Sequence, residues 1–380
     1  MLLVSSELER PLLISPPINK TKVLWEGQGP NLKALAEELG AETLVTPTPE
    51  REILTRLKGT ERLYFQNDSG SKAWSVAQKL LELPSHSRGP LPTQFHHSDE
   101  LLVRMRLFKD ASEVRLIREA AEATNGALLD TVPMLSAGLT ESFVAGAINF
   151  FFQTRGCEQG FPTNVSTGKS AATLHHEPGQ TKLKDGDLLL IDCGALHQHY
   201  SADITRVVPV SGSFTPLQKV LYQGVLEAQK AAIKKVKHGA LIRDVFLAAA
   251  KPLTEALVEM RVLKGNVARL IEKRAFRPYF PHGIGHTLGL DVHDVGNLRG
   301  NNDAILEEGM VFTIEPGLYF PKSVGRIKGG LGIRIEDDVL VTRKGCEVLS
   351  EGFPKNMKQV EQLFLKQQNF PLEELAALVG

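Results

Sequence analysis

Between Asp187 and Val208 the chain reads DLLLIDCGALHQHYSADITRVV, two short apolar runs with a carboxylate at the edge of each. Leu188 to Ile191 and Ile204 to Val208 have strand character, and Gly194, Ala195 and Ser201 lie in the segment that joins them. Asp192 closes the first run and Asp203 opens the second. A carboxylate set against a buried apolar strand costs several kcal/mol unless a cation or hydrogen-bond donors compensate it. An Asp in such a place commonly caps a turn, which is the ordinary reading of either residue alone. Further candidate ligands downstream favour a metal instead.

The 380 residues are enough for a sizeable core and two domains. Basic and acidic residues cancel at 44 each, with no long run of either sign, so nucleic acid and anionic membrane are not expected partners. The opening MLLVSSELERPLL has no basic leader and no apolar run approaches spanning length, so neither a secretory signal nor a membrane helix is expected. Cys157, Cys193 and Cys346 are odd in number and widely separated, which predicts free thiols in a reducing cytoplasm. Cys193 follows Asp192 directly, so in a strand it points to the opposite face and is not counted as a ligand.

Residues 1–105 mix apolar runs (Pro11 to Ile14, Lys22 to Trp25, Thr43 to Val45, Leu63 to Phe65) with helical patterns at Leu32 to Leu39 and Ala73 to Leu83. They predict a small α/β domain. Pro84 to Pro92 is rich in turn formers, and the adjacent His96 and His97 diverge in an extended chain and are expected at the surface. A second domain, 106–380, follows. Asp110 and Glu113 form a capping-box pattern before an apolar stripe of Val114, Ile117, Ala120 and Ala121. A second helix follows Thr140, with Val144, Ile148 and Phe151 on one side. After the Asp runs, Thr215 and Pro216 start a helix to about His238, and another spans Leu241 to about Met260. The order is helix, helix, strands, twice over, an α+β class. The tail from Asn356 places Val360, Leu363 and Phe364 at helical spacing before PLEELAALVG, and is expected to pack on its own domain.

The stretch PHGIGHTLGLDVHDVG holds His282, His286 and His293. A four-residue His spacing can mark a helical zinc site, but Gly283 and Gly285 intervene and no Glu follows His282, so that reading fails. The glycines predict backbone closely approached by other atoms, and three histidines in such a stretch predict the lining of a site. In MVFTIEPGLYF, Glu315 ends an apolar strand. In GLGIRIEDDVLVT, Arg334 and Glu336 share one face of a strand and Ile333 and Ile335 the other, so the charged pair faces a cavity, although alone it would read as an ion pair on an exposed edge. Asp192, Asp203, Glu315 and Glu336 in one cavity would repel and take up protons; two divalent cations balance them, whereas one leaves a net of −2. An oxygen-rich shell with one imidazole, His286, suits Mn, Co, Fe or Zn better than Cu.

These motifs closely resemble, over about residues 105 to 350, the pita-bread metallopeptidases, the family of methionine aminopeptidase, prolidase and Xaa-Pro aminopeptidase. The resemblance implies a pita-bread catalytic domain holding two divalent ions, with Mn favoured and Co, Zn or Fe as alternatives. It implies that Asp192 serves one metal, His286 and Glu315 the other, and that Asp203 and Glu336 bridge both. Glu315 would exchange protons with a bridging hydroxide and the leaving amine, and His293 would hydrogen-bond the scissile carbonyl region. His175, with His282 and Arg334, would shape the proline side, and Tyr319 would add a contact. Within the family, HGIGHTLGLDVHDVG and GIRIEDDVLVT resemble the proline-specific branch. Glu336 follows Glu315 by 21 positions, nearer Xaa-Pro aminopeptidases than prolidases. The expected substrates are peptides with proline second, and the expected assembly is a dimer or tetramer. The alternatives are a prolidase and, in a different class, a non-catalytic pita-bread binding protein.

Overall fold

A computed structural model describes residues 1–65, 70–84, 90–296, 298 and 303–365, without the side chains of Lys20 and Lys22. The chain divides into two compact units, Met1–Leu102 and Val103–Gly380. In the first, Leu12–Ser15 pairs in parallel with Glu42–Val45, and Arg62–Phe65 with Gln94–His97. Helices Leu32–Glu38, Pro49–Arg56 and Lys72–Glu82 accompany these strands, and Leu12, Ile14, Ile53, Leu57, Val76 and Leu80 form the core. Lys22 to Trp25 is helical, within Lys20–Glu26, rather than extended. His96 and His97, expected at the surface, are half-buried, and His96 stacks on Tyr64 with ring centroids 4.7 Å apart.

The second unit realises the repeated order. Helices Ala111–Thr131 and Glu141–Thr154 precede a sheet of Asn164–Thr167, Leu188–Cys193 and Ile204–Pro209. Helices Pro216–Ile233 and Ile242–Glu259 precede a sheet of Val311–Ile314, Asp337–Val341 and Cys346–Val348. The Asp110 and Glu113 capping box forms as expected, as does a second one between Thr215 and Gln218. Phe152 rather than Phe151 is the buried ring of its helix. The helix after Pro216 stops at Ile233, where Lys235 and Val236 turn back onto Ala232 and Ile233 and send Val236 into the core. Val360, Leu363 and Phe364, in the helix Met357–Phe364, join the core of this unit; PLEELAALVG and the middle of Pro84 to Pro92 lie outside the described residues.

Strand alternation separates two kinds of buried charge. In the antiparallel pair Leu188–Cys193 and Ile204–Pro209, Asp192 lies opposite Thr205 and Ile191 opposite Arg206. Successive side chains point to opposite faces, so Thr205 and Arg206 serve different neighbourhoods. Arg206 is 1% exposed and donates to Asp337, 2.7 Å away and fully buried. Asp337 also accepts from Gln229, Ser350 and Lys355. Burial would raise its carboxyl, but Arg206 and Lys355 more than reverse that and hold it below the ordinary value. Cys193 is buried in the core on the face away from Asp192, as the alternation requires.

Removing one partner of a buried ion pair strands the other, so Asp337→Ala is expected to destabilise the protein by about 3 kcal/mol. Asp130→Ala, which breaks only a partly exposed pair with Arg155, is expected to cost less than about 1 kcal/mol. Urea unfolding of both variants checks the contrast; equal midpoints would contradict it.

Candidate metal centre and substrate cleft

Two broken strands deliver two of the carboxylates. Val311–Ile314 pairs with Asp337–Val341 and Gly317–Phe320 with Leu331–Arg334, as one long hairpin. Both arms are interrupted at the same level, by Glu315 and Pro316 on one and Ile335 and Glu336 on the other. Pro316 has no N–H to give the ladder. The amides of Glu315 and Glu336 turn instead to the carbonyls of Ile284 (2.9 Å) and Thr205 (3.1 Å). Glu336 is therefore in a break rather than within a continuous strand, and both acids swing toward the neighbouring elements. Arg334 and Glu336 are 4% and 2% exposed, not an exposed edge pair.

The histidine stretch is not helical. A Cβ on Gly285 would sit 1.8 Å from the Thr313 carbonyl oxygen, so only glycine lets this backbone lie against Val311–Ile314. Gly283 meets no such close approach. His286 follows, its Nδ1–H donating to the Thr287 carbonyl at 3.1 Å. That bond leaves Nε2 with its lone pair facing Asp203 (3.3 Å) and Glu315 (3.7 Å). Ligand atoms of Asp203, His286 and Glu336 all lie within 4.8 Å of one another. His293 packs edge-on against His286, ring centroids 4.3 Å apart.

A cavity of about 390 Å³ opens onto all of them. Its lining includes Asp192, Asp203, His282, His286, His293, Glu315, Arg334 and Glu336, and also His175. Tyr319 is not part of this lining, but its hydroxyl bonds two residues that are. Arg334 donates to the Tyr319 oxygen at 3.1 Å, and Tyr319 stands 2.9 Å from His282 Nε2. Burial pushes His282 down to about 4, so the neutral ring accepts from Tyr319 through Nε2 and donates through Nδ1 to the Gly283 carbonyl. The other arms of Arg334 reach Asp192 and the Thr205 hydroxyl.

Charge crowding follows from this geometry. Burial first, and repulsion from Asp192 and Asp338 next, push Asp203 well above the ordinary carboxylate range. Burial and Asp203 do the same to Glu336. Glu315 differs: burial works to raise it, but His282, His286 and Arg334 together pull it below its ordinary value. Arg334 offsets only one of the four acids. Asp192 Oδ1 and Asp203 Oδ1 are buried without a hydrogen-bond partner among the described residues. Orphaned carboxylate oxygens beside an imidazole lone pair are the donor set a divalent cation requires, so the residues fit metal ions.

Sequence reasoning missed three participants. Thr205 donates to Glu336 at 2.6 Å while accepting from Arg334 at 2.9 Å, and its place two residues beyond Asp203 on one strand face was the available signal. Asp338 accepts the Asp203 amide at 3.1 Å, and burial pushes it up to about 8. His176 lines the cavity beside His175 and bonds Glu141, a pairing 35 residues apart that no local pattern announces.

Buried carboxylates and one oriented imidazole, converging on a cleft, define the centre of a metal-dependent hydrolase. The match to the family described as metallopeptidase family M24 spans residues 115–343, and the chain belongs to that family. The Xaa-Pro aminopeptidase of Escherichia coli (strain K12) is 34% identical over 352 residues, covering 91% of this chain and 80% of the relative. Xaa-Pro aminopeptidase 1 of Streptomyces coelicolor is 38% identical over 269 residues, 69% of this chain but only 55% of that longer protein. The solved zinc-substituted aminopeptidase P of E. coli, in complex with product, superposes with a TM-score of 0.89 at 31% identity, covering 97% of this chain and 86% of that one. The architecture is thus an α/β N-terminal domain followed by a pita-bread domain. Among the described residues no helix is long and apolar enough to cross a membrane.

Because burial and mutual repulsion raise Asp203 and Glu336, metal uptake is expected to release protons and to weaken as the pH is lowered. Titration calorimetry in two buffers of different ionisation enthalpy reads the release; identical heats would contradict it. Thr205→Val, which leaves Glu336 and Arg334 without their shared hydroxyl, is expected to lower metal affinity about tenfold in competition with a chelator.

Proposed function

We propose that this chain removes the N-terminal residue from peptides whose second residue is proline, as a dinuclear metal-dependent Xaa-Pro aminopeptidase. The observation that carries the reading is the convergence of Asp192, Asp203, His286, Glu315 and Glu336 on one cavity, in an M24 chain similar over most of its length to an Xaa-Pro aminopeptidase.

Asp192 would hold one ion, His286 and Glu315 the other, and Asp203 and Glu336 both, with Mn favoured and Co, Zn or Fe as alternatives. Bound there, the ions supply Lewis acidity and water activated near neutral pH. Glu315, whose carboxyl lies below its ordinary value, is the group suited to take a proton and return it to the leaving nitrogen. His293, edge-on to His286, would donate to the carbonyl oxygen as charge develops there. His282, Tyr319 and Arg334 would form one hydrogen-bonded group on the proline side, with His175 lining the same cavity.

An Xaa-Pro bond is a tertiary amide with no N–H, so a pocket cannot read it through that donor. Shape must do the reading. Phe161, Pro162, Leu174 and Val292 give the cleft an apolar lining beside its polar groups. The three free thiols are suited to a reducing cytoplasm.

Chelator-stripped protein with Mn restored is expected to release alanine from Ala-Pro-Ala at least as fast as from Ala-Pro. Cleavage of the dipeptide alone would make the enzyme a prolidase, and cleavage of neither would overturn the reading. Glu315→Ala loaded with metal should lose turnover by at least about 100-fold, whereas Asp203→Ala should lose metal as well, measured by elemental analysis.

A further inference from the structure

Glu141 lies outside the ligand cluster, at the first position of the helix Glu141–Thr154, and is fully buried. A carboxylate so placed needs donors. All of its hydrogen bonds come from one stretch. Oε1 accepts from the Thr167 amide at 3.0 Å and the Ser170 hydroxyl at 2.6 Å. Oε2 accepts from the Gly179 amide at 3.2 Å and from His176 Nε2 at 2.9 Å. The middle of that stretch, 174–177, is a wall of the substrate cleft and carries His175.

The rest of the helix start reinforces the hold. The Glu141 amide donates to Thr181 at 3.1 Å, and the Ser142 hydroxyl to the Gly179 carbonyl at 2.7 Å. Within the loop, the Leu174 carbonyl accepts from Asn164, whose strand pairs with that of Asp192. Both ends of the wall are therefore tied to one helix terminus and its middle to the sheet that carries a ligand. Burial works to raise the Glu141 carboxyl, and the donors from Ser170, His176, Gly179 and Thr167 reverse this, so the ionised form is the one the loop stabilises.

We propose that Glu141 is a positioning residue, a latch that fixes the 174–177 wall and with it the distance of His175 and His176 from a bound peptide. The inference rests on the peptidase reading for its effect on substrate, not for the latch itself. Four donors converge on one carboxylate, a number that only a carboxylate side chain accepts. Glutamine has the same shape but presents an amide NH₂ to two of the donors. It breaks half the latch without opening a cavity.

Glu141→Gln in the metal-loaded enzyme is expected to raise KM for Ala-Pro-Ala by about tenfold or more, the equivalent of one or two charge-assisted hydrogen bonds, with kcat and metal content nearly unchanged. In its background, His175→Ala should cost less than it does alone, because the histidine is already misplaced. Amide hydrogen exchange across 167–181 should quicken at least about tenfold, while exchange in the strand Leu188–Cys193 stays as in the parent. Unchanged exchange across 167–181 overturns the latch whatever the activity, and loss of kcat at constant KM overturns its role toward substrate. Should Glu141→Gln fail to fold, Ser170→Ala removes a single donor and is expected to quicken the same amides to a lesser degree. A parent protein that cleaves neither peptide would count against the peptidase reading, and the exchange experiment would still decide the latch.

Discussion

Like charges held out of water govern this molecule. Asp192, Asp203, Glu315 and Glu336 share one cavity with a single guanidinium among them, and Asp338 stands directly behind Asp203. Burial and mutual repulsion favour the protonated forms of Asp203 and Glu336, and a divalent cation is the partner that would let them ionise. The consequence reaches past the cavity, because each acid must arrive from a different element and none can move aside to relieve the others. The fold meets that requirement with two sheets and a hairpin broken in both arms at one level.

Alternation along the strands keeps this tension local. Thr205 faces the cavity and Arg206 the opposite side; Glu336 faces the cavity and Asp337 the opposite side. One register thus yields a strained cluster open to ligands and, one residue along, a neutralised pair sealed in the interior. The sealed pair gives the strands that bear the ligands a fixed register, since a slip of one position would exchange the two environments. Functional and structural charge are separated by the pleat alone.

How much of this was legible in the sequence depended on the range of the interaction. Asp110 with Glu113, and Thr215 with Pro216, act within one turn, and their helices start where those residues say. The strands around Asp192 and Asp203 followed from apolar runs, and the glycine beside His286 announced a close backbone approach that Gly285 makes. Helix ends were less legible. Nothing local tells that Val236 leaves the helix to enter the core, or that Lys22 to Trp25 coils despite its apolar run. The break at Glu336 was hidden because IRIEDDVLV alternates like an unbroken strand, and only the facing Pro316 and the carbonyl of Thr205 interrupt it. Glu141 was hidden for the same reason: its partners lie 26 to 38 residues away.

The buried polar chain beside the carboxylate cluster shows what the long-range contacts accomplish. Arg334 donates to Asp192, Thr205 and Tyr319, and Tyr319 in turn donates to His282. His282 stays neutral because burial opposes its protonation, so the direction of every proton along this chain is set. A group that fits against Tyr319 and His282 presses on a network whose far end is a carboxylate of the metal cluster. In the proposed reading, recognition on the proline side and geometry at the metal centre are therefore not independent. Buried hydrogen bonds of this kind strengthen one another where water is excluded. A proline ring offers no N–H for a pocket to bond, and in the proposed reading a wall tied to the ligand shell would let its shape alone determine whether a peptide lies in register with the centre.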